Sequence, residues 1–166
     1  MASHLCENIF MISSTHLHAM AIHLPIALLI LGFLSELVAF LYNKTFFRQS
    51  AFYLLLVGTV GTILSYLSGN AAGDGMEEGT LGAAIELHEQ AATIALWLTI
   101  ITAFFYLVVY FLKYQKTWTR LLAIFLFAGV IAAIARTGYL GGQLVYKHGA
   151  GVELALPDFS NPAAND

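Results

Sequence analysis

Histidines are the side chains of this chain whose positions suggest chemistry. Five of the six lie at the ends of strongly apolar segments, namely His16, His18, His23, His88 and His148. Neutral imidazole is a common ligand for haem iron, copper and zinc. Because ionisable groups at the edge of a hydrocarbon layer are costly, their grouping at one level indicates a bound ligand.

The composition identifies the class of protein that positions these imidazoles. The 166 residues are 59% hydrophobic and 10% charged, with a mean hydropathy of +0.77, which is too apolar for a soluble globule. A formal net charge of −3 with seven Lys and Arg leaves no basic stripe for nucleic acid. We therefore expect a single integral membrane domain over 1–166, in contact with the lipid bilayer and not with nucleic acid.

Continuous runs of Leu, Ile, Val and Phe, without the alternation of a barrel strand, predict spanning helices. Each run approaches or exceeds the roughly 20 residues needed to cross the hydrocarbon layer. The predicted spans are approximately 17–42, 50–69, 86–112 and 118–141. The expected fold class is all-α, an integral membrane four-helix bundle.

The charged loops predict the orientation of this bundle. Cations occupy the first and third connections, whereas the second connection and the start of the third span are acidic. Loops rich in Lys and Arg stay in the cytoplasm. We therefore expect a multi-pass protein of the cell inner membrane with extracytoplasmic N- and C-termini and with the histidines on that side.

A haem site is the chemistry that this arrangement favours. One histidine from each of two facing helices can hold haem iron in a bundle, and His23 with His88 is the predicted axial pair. Gly58 and Gly61 would give the second helix a smooth face beside the porphyrin, and Arg136 would anchor a propionate. The predicted cofactor is haem b.

The same residues allow other interpretations. His18 and His148 are predicted as further donors to the haem site or as a second ligand pair, while His16, His18 and His23 together could bind copper or zinc. The small-residue faces could instead be helix contacts of a structural or assembly subunit. Glu36 could take part in a proton relay or be a hydrogen-bonded structural carboxylate.

Four segments carry a resemblance to a known family, and they are HAMAIHLPIALLILGFLSEL, SGNAAGD, ELHEQA and GYLGGQLVYKHGAGV. The chain resembles the four-helix bacterial membrane proteins of domain-of-unknown-function family 2231 from about residue 16 to 152. The family's histidines would correspond to His18, His23, His88 and His148. Two departures are Glu36, where the family often has Asp, and Leu24, where an aromatic residue is often found.

The resemblance implies an electron-transfer setting, since such proteins are often linked to c-type cytochrome modules. Together with the histidines, it predicts a membrane electron-transfer protein that binds b-type haem on the extracytoplasmic side, as a subunit of a respiratory complex without stand-alone enzymatic activity. The predicted partners are a c-type cytochrome or other membrane redox subunits.

Overall fold

Long apolar runs give a computed structural model in which the described residues, 14–73, 79–114 and 116–151, are helical apart from short connections. The helices are α1 (Ser14–Ala21), α2 (His23–Tyr42), α3 (Thr45–Gly73), α4 (Gly79–Phe111) and α5 (Thr117–His148). The first two form one span that is interrupted at Ile22, so four helical segments are long and apolar enough to cross a membrane. The all-helical fold and the four spans are confirmed.

The helices are longer than the apolar runs that predict them. Thr45–Gly73 has 29 residues and Thr117–His148 has 32, so α5 is about 48 Å long at 1.5 Å per residue, against roughly 30 Å of hydrocarbon. Hydropathy indicates which part of a helix lies in lipid, whereas the helix ends where the backbone leaves the helical conformation. At the end of α5, Gly149 adopts φ 66° and its N–H donates to the carbonyl of Val145 at 3.0 Å.

Pairwise packing organises the bundle. α2 packs mainly on α3 and α4 mainly on α5, while the two pairs meet through α3 with α4 and through α2 with α5. The centre contains fully buried Leu29, Leu55, Phe127 and Val130. Many large apolar side chains are exposed on the outside, as expected where lipid covers them.

The two helix pairs correspond to each other in their pattern of buried positions. Residues of the first span and of α4 correspond at a separation of 70, as Asn43 and Lys113 show: each follows the end of its helix, and they have φ of 51° and 52°. Residues of α3 and α5 correspond at a separation of 72, with Leu55 and Phe127 both fully buried. Other equivalent buried pairs are Pro25 with Ala95, Gly32 with Thr102 and Ala51 with Ala123.

This correspondence relates the ends of the bundle. Each half has a histidine before the apolar run of its first span and an arginine in the first turn of its second helix. His18 corresponds to His88 at one end of the bundle, which we call the histidine end, and Arg48 corresponds to Arg120 at the other, which we call the arginine end.

Candidate functional site

His18, on α1, is half-buried against α3. Its Nδ1 lies 3.0 Å from Ser68 Oγ, and the Ser68 hydroxyl donates to the carbonyl of Ser65 at 2.9 Å. With the serine proton directed to that carbonyl, we assign Nδ1 of the imidazole as the donor to Ser68 Oγ. A neutral His18 ring then carries its lone pair on Nε2.

His88, on α4, has the same arrangement against α5. Its Nδ1 lies 3.1 Å from the carbonyl oxygen of Thr137. A carbonyl only accepts, so Nδ1 is again the donor and Nε2 of the neutral ring is unprotonated. Thr137 corresponds to Ser65, whose carbonyl also interacts with His18.

Each imidazole rests on a glycine of the neighbouring helix. A Cβ built on Gly69 would lie 2.9 Å from His18 Cε1, and one on Gly141 would lie 3.2 Å from His88 Cε1. Gly69 and Gly141 also correspond to each other. Each ring therefore packs against a glycine at a corresponding position, which we call its glycine seat. A larger side chain at Gly69 or Gly141 would displace the ring above it.

The two imidazoles are close enough to interact electrostatically with each other. Two histidines from different spans, each oriented through Nδ1 and each with Nε2 unprotonated when neutral, form the arrangement expected of metal-ligating imidazoles. We call His18 and His88 the histidine pair.

His23 lies apart from these contacts, and its predicted pairing with His88 stays a prediction. Its side chain is exposed, and Nδ1 bonds to the carbonyl of Ala19 on its own helix at 2.7 Å. Pro25 lacks the N–H that would continue the helix, and the interruption at Ile22 separates α1 from α2. His18, one turn earlier, is the residue that turns inward.

The glycines predicted to line a porphyrin slot lie at a helix contact. A Cβ on Gly58 would lie 2.8 Å from Leu29 Cδ2, and one on Gly61 would lie 3.0 Å from Pro25 Cβ. The smooth face of α3 is thus occupied by α2. Close approach of the two helices requires both glycines, and their predicted role beside a porphyrin stays a prediction.

The remaining predicted residues lie on the surface. His148 is the last residue of α5 and is exposed. Arg136 is exposed beside a cavity of about 250 Å³ between α4 and α5, which is also lined by Ala91, Gly129 and Ala133. Arg136 directly precedes Thr137, whose carbonyl orients His88, so a cation lies next to the site.

The sequence analysis missed the partners of the histidine pair. Ser68 and the carbonyl of Thr137 orient the rings, and Gly141 seats one of them. The sequence signal that could have identified these residues is the correspondence between the two halves of the chain. A separation of 70 residues places His18 opposite His88, and a separation of 72 places Gly69 opposite Gly141. The apolar side chains at the other corresponding positions differ between the halves, so the correspondence is not obvious in the sequence.

Comparisons with known proteins place the chain in a family. A family model described as "Predicted membrane protein (DUF2231)" matches residues 14–154. The comparisons with curated proteins and with solved structures gave no match. The matched region includes every described helix and both members of the histidine pair, and the chain therefore belongs to the DUF2231 family of predicted membrane proteins.

Proposed function

We propose that this protein is a membrane electron-transfer protein that binds b-type haem, with His18 and His88 as the axial ligands. The supporting observation is the orientation of the two rings: both engage Nδ1 with a neighbouring helix and leave Nε2 to accept iron. A hydrogen bond made by the ring nitrogen that does not bind the metal orients a metal-bound histidine and raises its basicity.

The donor set fits haem better than a free transition metal. The described residues contain no group of three or more His, Cys, Asp or Glu that could hold a metal ion, whereas structural zinc takes four protein ligands. Haem supplies four nitrogens itself and takes its axial ligands from the protein. When bound, the haem would supply one-electron exchange, and His18 and His88 would orient it, with Arg136 available to a propionate.

The charges suggest where electrons would be exchanged. Cations concentrate at the arginine end, so the positive-inside rule directs the histidine end away from the cytoplasm and favours the inner membrane. Glu86 and Glu89 are exposed near His88, and such carboxylates favour a basic partner. A c-type cytochrome or another membrane redox subunit with a basic face is the proposed partner.

An optical spectrum of the purified full-length chain tests this proposal. We expect a Soret band and, after reduction, the sharp α band of a low-spin bis-histidine haem. His18→Ala and His88→Ala should each abolish that low-spin spectrum, whereas His23→Ala and His148→Ala, matched controls on the surface, should retain it. A chain reconstituted with haem that shows no Soret shift, or that needs His23 and not His18, would refute the assignment.

A second candidate function, soft-metal binding, is favoured by a different cavity. His16, Met20 and His23 line a concavity of about 470 Å³ together with Ala19. A thioether beside imidazoles suits Cu(I), and His23 already directs Nδ1 to its own backbone. Elemental analysis separates the possibilities: copper without iron supports this function, and neither metal supports a structural or assembly subunit.

A further inference from the structure

The cavity of about 250 Å³ between α4 and α5 is an apolar groove with a cation at one end. Its apolar lining includes Ile94 and Leu98 on α4 and Gly129 and Ala132 on α5, and Arg136 is the charged residue of the lining. Ile94 and Ala132 are exposed, which places the cavity on the outside of the bundle, where lipid lies. We call it the α4–α5 groove.

Helix packing does not account for the glycine in this groove. A Cβ built on Gly58 would lie 2.8 Å from Leu29 Cδ2, whereas one built on Gly129 would meet no atom within 4 Å. Glycine destabilises a helix interior relative to alanine, and no close contact with another helix requires it at Gly129. The glycine therefore keeps open a space that faces the bilayer.

The groove and its cation occur together in one half of the bundle. The positions of α3 that correspond to Gly129, Ala132 and Arg136 at a separation of 72 carry large apolar side chains, each more than half exposed, namely Val57, Val60 and Leu64. That face of α3 is an ordinary lipid-facing surface. The second half differs from it in both features, the small side chains and the positive charge.

Arg136 lies at the depth of the lipid headgroups. It follows Arg120 of the arginine end by 16 residues, about 24 Å along α5, against roughly 30 Å of hydrocarbon. Tyr139, one turn later, is 67% exposed, and exposed Tyr is typical of the membrane–water interface. Gly129 lies about 10 Å deeper than Arg136, so the groove runs from the interface into the hydrocarbon layer.

The charge of Arg136 is available to an anion. Its guanidinium is exposed, and no hydrogen bond or ion pair joins it to another of the described residues. The nearby carboxylates are directed elsewhere, since Glu86 accepts a hydrogen bond from Gln90 at 3.2 Å and Glu89 Oε1 lies beside Gly73 on α3. A guanidinium group binds phosphate through paired N–H donors.

We propose that the α4–α5 groove binds one anionic phospholipid, with its phosphate on Arg136 and an acyl chain along Leu98 and Gly129. An anionic headgroup is favoured over a zwitterionic one, because the cation of a choline headgroup offsets the attraction between its phosphate and Arg136. This site goes beyond haem binding. A haem propionate would compete for the same guanidinium, so the site is tested in the iron-free chain.

Native mass spectrometry of the iron-free full chain, delipidated in detergent and titrated with phosphatidylglycerol or phosphatidylcholine, tests the proposal. We expect one retained phosphatidylglycerol and weaker binding of phosphatidylcholine. Arg136→Gln should lower the affinity for phosphatidylglycerol about 5-fold, the equivalent of about 1 kcal/mol for one cation near an anionic lipid, and Arg136→Lys should keep most of it. Gly129→Leu should fill the groove and weaken the binding of both lipids.

Two matched controls lie outside the groove. Lys147→Gln removes another exposed cation of the histidine end, one that donates to Gln143 at 3.3 Å. Gly138→Leu adds the same bulk to α5 where a Cβ meets no atom within 4 Å. Both should bind phosphatidylglycerol as wild type does. Circular dichroism and elution volume show that each variant folds, and Ala132→Leu replaces Gly129→Leu if that variant does not.

Four results would overturn this inference. Equal affinity for the two lipids, or wild-type affinity in Arg136→Gln, would remove the role of the cation. A loss in Gly138→Leu equal to that in Gly129→Leu would show a general effect of added bulk. Displacement of phosphatidylglycerol by inorganic phosphate would assign the site to a free anion. A dimer that is lost in Gly129→Leu would assign the groove to a second copy of the chain.

Discussion

Replacing Gly69 with alanine is the sharpest test of the seat beneath His18. The new Cβ would lie 2.9 Å from His18 Cε1 and 3.4 Å from Nδ1. Carbon atoms pack at about 3.5–4.0 Å, so the ring has to withdraw by roughly 0.6–1 Å. A movement of that size is enough to break the 3.0 Å bond from Nδ1 to Ser68 Oγ.

The expected result is a loss of haem affinity without a loss of stability. Removing the orientation of a metal-bound histidine costs about 10–100-fold in metal affinity. The imidazole is the end of a side chain that can turn away, and alanine stabilises a helix interior by about 0.5–1 kcal/mol over glycine. Gly141→Ala, with 3.2 Å to His88 Cε1, should show a smaller effect of the same kind.

Haem titration followed by Soret absorbance, with thermal unfolding in the same detergent, measures both quantities. Gly142→Ala is the matched control, because a Cβ there meets no atom within 4 Å. The reasoning is refuted if Gly69→Ala binds haem as tightly as wild type, or if Gly142→Ala loses as much affinity.

Three further variants separate packing from ligand binding. Gly58→Ala should lower the free energy of unfolding by about 1–3 kcal/mol, because its Cβ would lie 2.8 Å from buried Leu29. Gly129→Ala is the control and should not lower it, because a Cβ there has no atom within 4 Å. Equal unfolding midpoints of the two variants in a denaturant titration would contradict this expectation. Phe127→Ala should lower the free energy of unfolding by about 3–5 kcal/mol, because Phe127 is fully buried. The denaturant titration measures this loss, and a loss below about 1 kcal/mol would count against a packed centre. Ser68→Ala should weaken haem binding by about 10-fold, since it removes the acceptor for His18 Nδ1, and unchanged affinity would show that this bond does not orient the ring.

The general fold was predictable, because lipid imposes a simple rule on sequence. Uninterrupted apolar runs such as Leu28–Leu31 must be helical, since every backbone group in hydrocarbon has to bond within its own segment. The end of the bundle that carries the histidines was predictable too, because His18 precedes the first apolar run and Lys44 follows it, while His88 precedes the third run. The helices Thr45–Gly73 and Thr117–His148 extend beyond the predicted spans 50–69 and 118–141, since hydropathy does not register helical turns that continue beyond the hydrocarbon layer.

The choice of histidine was not predictable in the same way. His18 and His23 are five residues apart and both lie near the entrance of the first span, so spacing alone does not tell which one faces inward. That is decided by which face of the first span packs on α3, which places His18 beside Ser68 and leaves His23 on the surface.

From the sequence alone came the membrane environment, the helical class, the number of spans and the presence of imidazoles at one level, all of which follow from composition and order along the chain. Only the tertiary structure decided that His18 and His88 each bond through Nδ1 to a neighbouring helix, and that Gly58 and Gly61 face α2. The physical reason is that these relations depend on which faces of separate helices come together, and helix packing, rather than the local pattern of any one helix, determines this.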